Sequence, residues 1–175
     1  MDLILEIGTS FCSRATSAYF LVHEFKLLLK LFNRCLLPGG WTEIKDIDFV
    51  ALSDDDTLPQ DSAIVKWHNK LAEGAALGNL NLRASSSELV GRFVAAGFIN
   101  ISVKEFKIPI GPWVKAKALK EIGLFQRLVL GDGLEGFSLA ILTRLLKWSK
   151  VSVDELLAEV KAELHNRDYH WYWPL

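Results

Sequence analysis

The chain has 175 residues, enough for one domain with a hydrophobic core. Half of the residues are hydrophobic and six are Trp, which excludes a disordered chain. The net charge is −1, the signs are interspersed and no basic block occurs, so direct nucleic-acid binding is not expected.

No apolar run approaches the roughly 20 residues of a membrane span. The densest stretch, 25–37, is broken by Lys26, Lys30, Asn33 and Arg34. The N-terminus lacks a basic segment ahead of an apolar one, so no secretory signal is expected. Cys12 and Cys35 make no disulfide framework, and Cys35 is expected in the core on the apolar face of a helix. A cytoplasmic or nuclear setting fits these features.

Residues 2–7 (Asp-Leu-Ile-Leu-Glu-Ile) read as a short buried parallel strand. Residues 8–19, rich in Ser and Thr without a period, read as a loop. A helix is expected over 23–37, with Phe25, Leu28, Leu29, Phe32, Cys35 and Leu36 on one face. Pro38-Gly39-Gly40 stops it, because proline cannot continue the helix and glycine accepts positive φ. Residues 41–47 then read as a strand ending in the acidic Asp46 and Asp48. A helix feeding a strand is half of a βαβ unit and points to an α/β architecture.

In the acidic stretch 53–61, Asp54–Asp56 could suggest a metal site, but no glycine or distal glutamate completes a calcium loop, and the stretch reads as a solvated loop whose side chains close Asx-turns. Asp61 or Ser62 caps a helix with Ile64, Trp67, Leu71 and Ala75 on one face. Ser85 and Glu88 have capping-box spacing for a helix ending near Ala96, with Gly97 beyond it. Residues 98–108 alternate as a strand with a bulge near Lys104–Glu105, and 109–113 make a rigid turn. Three helical segments follow. The first, 114–130, aligns Val114, Ala118, Ile122, Phe125 and Val129; the second, 134–148, aligns Phe137, Ile141, Leu145 and Trp148. The third opens at Ser152, with Val153, Leu156, Val160 and Leu164 on its stripe. The chain ends in an aromatic, strand-like run, 169–175.

Several strings on this path coincide with one family. Leu37-Pro38-Gly39-Gly40-Trp41 joins a helix to a strand. Ala96-Gly97-Phe98 approaches another strand. Pro109-Ile-Gly-Pro-Trp113, the segment 118–123, Gly133-Leu-Glu-Gly-Phe-Ser138 and Tyr169-His-Trp-Tyr-Trp173 then follow in order. Together they resemble class I S-adenosylmethionine-dependent methyltransferases, of the fungal LaeA-like or TAM-domain type. Most class I members have Lys where Leu37 stands. By this resemblance 1–4 begins the fourth strand, and the chain is one incomplete domain, 1–175. The portion before the fourth strand, which carries the cofactor loop, is not encoded, and the C-terminus is cut short. The fold class implied is α/β: a partial Rossmann-like methyltransferase sheet of about three to four strands with a helical C-terminal part.

The cofactor implied by the resemblance is S-adenosylmethionine, or none, since no glycine-rich loop follows an apolar strand. Gly131-Asp-Gly-Leu-Glu-Gly136 has the spacing, but it lies between helical patterns and reads as a helix–helix turn. Asp46 and Asp48 are the cofactor-side candidates if their strand end faces the ligand, where α/β sheets bind; otherwise they are a solvated strand terminus. Trp67 and Trp113 are candidates to line a pocket for a small-molecule substrate, or else core. His170 is a candidate base, or else a packed or surface histidine. The histidines and cysteines show no metal-ligand spacing.

The function implied is methyl transfer in secondary-metabolite biosynthesis or its control. The alternatives are a non-catalytic remnant acting as a binding or partner subunit, and a cofactor-independent cyclase or isomerase pocket. The open edge of so small a sheet would serve a homo- or hetero-oligomer.

Overall fold

The computed structural model describes residues 2–7, 11–16, 22–83 and 85–175, with side chains from residue 27 onward. The chain divides into two compact units, one of Met1–Asp48, Asn79–Glu105 and Leu175, the other of Phe49–Gly78 and Phe106–Pro174.

In the first unit, β1 (Asp2–Ile7) pairs antiparallel with β2 (Phe11–Thr16), from Asp2↔Thr16 to Ile7↔Phe11. The expected strand is present, but its partner is antiparallel and arises inside the expected loop; the rest of that loop lies outside the described residues. Helix α1 (Val22–Cys35) follows as its periodicity requires. Leu29 is fully buried, whereas Cys35 is exposed and is not the core residue expected. Gly39 takes φ +83° and the Gly40 amide donates to the Leu37 carbonyl at 2.8 Å, which ends the helix in a tight turn.

Residues 41–47 form no strand. The alternation there has no ladder to join, and a strand is defined by its partner as much as by its own pattern. Helix α3 is numbered after α2 below and spans Ser86–Ala95. Ser85 caps it by accepting the Glu88 amide. The second half of the box is missing, because the Glu88 carboxylate accepts from Arg92 at 2.5 Å and from Asn81 at 3.3 Å. Gly97 takes φ +96°, and Asn33 Nδ2 donates to the Ala96 carbonyl at 2.9 Å, tying α1 to the end of α3.

The second unit holds most of the large buried residues. Helix α2 (Ala63–Leu77) buries Ile64, Trp67, Leu71 and Ala75, the face that the spacing predicts. Its N-terminus is capped twice. Ser62 accepts the Val65 amide, and the two carboxylate oxygens of Glu163 accept the Ala63 and Ile64 amides, each at 3.0 Å. A carboxylate at that end also meets the positive pole of the helix.

Strand β3 (Lys107–Ile110) replaces the longer strand expected over 98–108. Helix α4 (Lys117–Leu139) continues directly into a π-helical segment, Ala140–Leu145. The two helices expected at 114–130 and 134–148 are therefore one, and the glycine string 131–136 is helical rather than a turn. The face expected to be buried is also the wrong one. Ile122, Phe125 and Val129 are 43%, 66% and 61% exposed, while Gly123, Leu130, Leu134 and Ser138 face inward. Helix α5 (Lys150–Glu163) is capped by Ser149, three residues before the Ser152 expected, and buries Val153, Leu156 and Val160.

Strand β4 (Trp171–Pro174) pairs antiparallel with β3, from Lys107↔Pro174 to Ile110↔Trp171. On its other side Tyr172 exchanges backbone hydrogen bonds with Leu52, at 2.9 and 3.1 Å. β4 is antiparallel to both neighbours, so the chain at Leu52 runs parallel to β3. Pro109 sits opposite Tyr172, whose backbone N–H and C=O are already spent on Leu52; the missing proline N–H costs the ladder nothing. The described strands thus form two antiparallel two-stranded sheets, with one added bridge, in a mixed α/β chain. No helix of the described residues is long and apolar enough to cross a membrane.

Candidate functional site at the start of the C-terminal strand

Side chains alternate across a strand, and β4 uses both of its faces. Trp171 and Trp173 are buried. Their rings lie 5.5 and 5.9 Å from His68, and Phe49 packs against Trp67, His68 and Trp173 at 4.7–5.3 Å. The hydrogen bonds in this cluster fix the His68 tautomer. Trp173 Nε1–H donates to His68 Nε2 at 2.8 Å, and His68 Nδ1 lies 2.8 Å from the Ile64 carbonyl. An indole N–H only donates and a carbonyl only accepts, so the proton is on Nδ1. Trp67 donates from Nε1 to Ser138 Oγ, and Ser138 donates on to the Leu134 carbonyl. Trp67 is fully buried in this apolar face, as a core residue.

The other face gathers polar groups from far apart in the chain. His170 Nδ1 lies 2.7 Å from Asp55 Oδ2. Asp55 Oδ1 accepts from Ser53 Oγ at 2.9 Å, Thr57 Oγ1 at 2.8 Å and the Thr57 amide at 3.3 Å. The His170 amide returns to Thr57 Oγ1 at 2.9 Å. The His170 interaction, then the Thr57 and Ser53 hydroxyls, hold the Asp55 carboxyl well below the usual carboxylate range. Trp113 stacks on His170, with centroids 5.3 Å apart and planes 24° apart, and its Nε1 donates to the Trp171 carbonyl at 3.1 Å. Next to this cluster Asp54 accepts from Lys107 at 2.5 Å and Tyr172 Oη at 2.8 Å, and the Lys107 ammonium sits 4.8 Å from the Tyr172 ring centroid. Those bonds lower the Asp54 pKa, and the Asp54 contact raises that of Lys107.

Of the sequence candidates, Trp113 and His170 are brought together, and Trp67 lies in the buried cluster behind β4. Asp46 and Asp48 belong to the first unit and end no strand. Burial is the main cause raising both carboxyls, offset by the Ile47 amide for Asp46 and by Arg83 for Asp48. Sequence reasoning missed Lys107 and Tyr172 and took Asp54 and Asp55 for carboxylates of a solvated loop. Asp55 closes an expected Asx-turn with the Thr57 amide, but its carboxylate also reaches His170, 115 residues on, and that of Asp54 reaches Lys107 of β3 and Tyr172 of β4, 53 and 118 residues on. The available signal was that Asp54 and Asp55 directly follow the Leu52 segment.

Residues 53–57, Gly111–Trp113 and His170 share one end of this strand arrangement, where the Leu52 segment and β3 terminate. Ligands of open α/β sheets bind at the carboxyl ends of strands. The chain is 30% identical to the probable methyltransferase tdiE of Emericella nidulans over 152 residues, 87% of this chain and 47% of that protein. It is 34% identical to the methyltransferase pytC of Aspergillus terreus over 146 residues, 81% of this chain and 44% of that one. With the secondary metabolism regulator LAE1 of Cochliobolus heterostrophus it shares 36% identity over 151 residues, 84% of this chain and 48% of the regulator. Over more than four-fifths of its length the chain is similar to LaeA-like methyltransferases. It spans about half the length of these LaeA-like relatives. No family model and no solved structure matches it.

The cofactor that likeness to these proteins implies is S-adenosylmethionine. The string Gly131–Gly136 lies inside α4, where backbone amides are engaged in the helix and cannot cradle a nucleoside. The described residues therefore do not fit S-adenosylmethionine by that route, and no chemical step is assigned through it.

Proposed function

We propose that the chain is the substrate-side part of an S-adenosylmethionine-dependent methyltransferase acting on a small molecule of secondary metabolism, or in the control of that metabolism, in the cytoplasm or nucleus. The observation carrying this reading is the identity of 30–36% over more than four-fifths of the chain to two proteins named methyltransferases and one named a regulator. The parallel run of the Leu52 segment and β3, with connecting loops at their carboxyl ends, supports a Rossmann-like sheet in which these strands take part.

A second reading is favoured by the helical glycine string and by the exposed Ile122, Phe125 and Val129 of α4. In it the chain is a non-catalytic subunit that works with another chain, and α4 is one of the surfaces left for that association. Isothermal titration with S-adenosylmethionine, followed by transfer of a labelled methyl group, separates the two. Micromolar binding with transfer supports the enzyme. Silence at millimolar cofactor removes it and leaves the subunit.

A further inference from the structure

We propose that the Asp55–His170 pair is a proton-accepting site for the substrate, with His170 Nε2 receiving the hydrogen of a hydroxyl or N–H group on a small acceptor molecule. The inference deepens the substrate-side reading above and rests on it, but its test needs no cofactor.

The geometry decides which nitrogen is presented. The Asp55 carboxylate is an acceptor, so the bond of 2.7 Å requires the proton on His170 Nδ1, and in the neutral ring that leaves the lone pair on Nε2. Nε2 has no hydrogen bond among the described residues. Asp55 cannot swing away easily, because three further donors from Ser53 and Thr57 hold Oδ1. The imidazole cannot tilt easily, because Trp113 lies against its face and is itself fixed to the Trp171 carbonyl. A nitrogen base held from three sides on a strand end has the preorganisation that a reacting site needs.

The other histidines with described side chains differ. His68 spends both ring nitrogens in the core. His165 bonds the Lys161 carbonyl of its own helix turn, with no carboxylate behind it. His170 combines a carboxylate partner, a stacked aromatic face and exposure to solvent. The nearby charges balance, since Asp54 is matched by Lys107 and by the Tyr172 hydroxyl. The X–H bond of the acceptor breaks, the N–H bond at Nε2 forms, and the electron pair stays on X as the nucleophile. The imidazolium later gives its proton to water. Asp55 acts as a positioning residue, through His170.

Long-range proton–nitrogen NMR of the intact chain, uniformly nitrogen-labelled and at pH 8, tests this with phenol as the probe. The expected spectrum shows His170 as the Nδ1–H form, with a lone-pair resonance for Nε2, and phenol shifts that resonance saturably in the millimolar range. Asp55→Asn should mix the tautomers and weaken phenol binding about fivefold, roughly the weight of one hydrogen bond; Asp55→Glu should restore the single form. The inference is overturned if wild type carries its proton on Nε2, or if phenol leaves the His170 Nε2 resonance of wild type unshifted or shifts it without saturation. The wild-type tautomer needs no variant, so a poorly folded mutant leaves the test intact. Phenol binding without cofactor binding keeps this site and removes the methyltransferase reading; cofactor binding with no response at His170 does the reverse.

Discussion

The two faces of β4 use the same four-residue strand for opposite ends. One face is dry: Trp171 and Trp173 close on His68, Phe49 and Trp67, and the polar atoms named there are internally paired. The other is wet: His170 and the hydroxyl of the buried Tyr172 meet Asp55, Asp54 and Lys107, and His170, Asp54, Asp55 and Lys107 remain partly open to water. The difference teaches where energy and chemistry reside. A buried aromatic contributes through area and dispersion, about 1.5–3 kcal/mol for a large apolar side chain. A solvated ion pair contributes about 0–1 kcal/mol. Substitutions on the dry face should therefore move stability, and those on the wet face should move ligand response.

Trp67→Ala is the harshest challenge to that division. It removes the ring of a fully buried residue and leaves Ser138 Oγ with only its bond to the Leu134 carbonyl. The expected loss is about 3–5 kcal/mol, read by chemical denaturation. A loss below 1 kcal/mol would mean that the dry face is not the stabilising one. Gly123→Ala comes next and belongs to neither face. A Cβ there would lie 2.1 Å from the Gly111 carbonyl oxygen, and that glycine has φ +100° and donates its amide to the Gly123 carbonyl. The expected cost is about 1–3 kcal/mol, as for overpacking. It should also disturb the His170 resonances, because Gly111 directly follows β3 at the Trp113 turn.

How much of this was legible follows from α2 and α4. The α2 face of Ile64, Trp67, Leu71 and Ala75 has one apolar stripe, a capping Ser62 and polar residues elsewhere, so its period has one solution. Helix α4 is apolar on two sides. Ile122, Phe125 and Val129 recur at helical spacing, but so do Gly123, Leu130 and Leu134, and periodicity cannot choose between them. The choice is made by Gly123, whose missing side chain lets α4 approach Gly111, and hydropathy does not register it. The glycine string 131–136 misleads for a related reason: glycine lowers helix propensity by about 1 kcal/mol against Ala, and packing of Leu130, Leu134 and Ser138 overrides it. The candidate site was legible only at Trp113 and His170. Asp55 reaches His170 across 115 residues, and that contact depends on the Leu52–Tyr172 bridge, which no local pattern encodes.

Tyr172→Phe sharpens the comparison at smaller scale. It keeps the ring that lies by Lys107 and removes only the hydroxyl donated to Asp54. The expected cost is about 0.5–1.5 kcal/mol, read by chemical denaturation, and the Lys107–Asp54 bond should survive. A cost above 3 kcal/mol would place Tyr172 with the dry face after all.

The smallest effect is acid stability. Asp55 and Asp54 have folded-state pKa values below their unfolded values, near the usual ~3.9. The unfolded chain then binds more protons than the folded one through that range, so stability falls as pH falls. The stability these carboxylates add is complete above the ordinary carboxylate range and is lost as pH drops below about 4. Both groups are solvent-exposed, so salt should weaken the effect. Thermal unfolding of wild type between pH 5 and 2 should therefore show a steeper decline than Asp55→Asn, with the two curves drawing together in 0.5 M salt. Parallel curves at low salt would mean that the wet face is held by something other than its carboxylates, and the assignment of Asp55 as the group that orients His170 would fall with them.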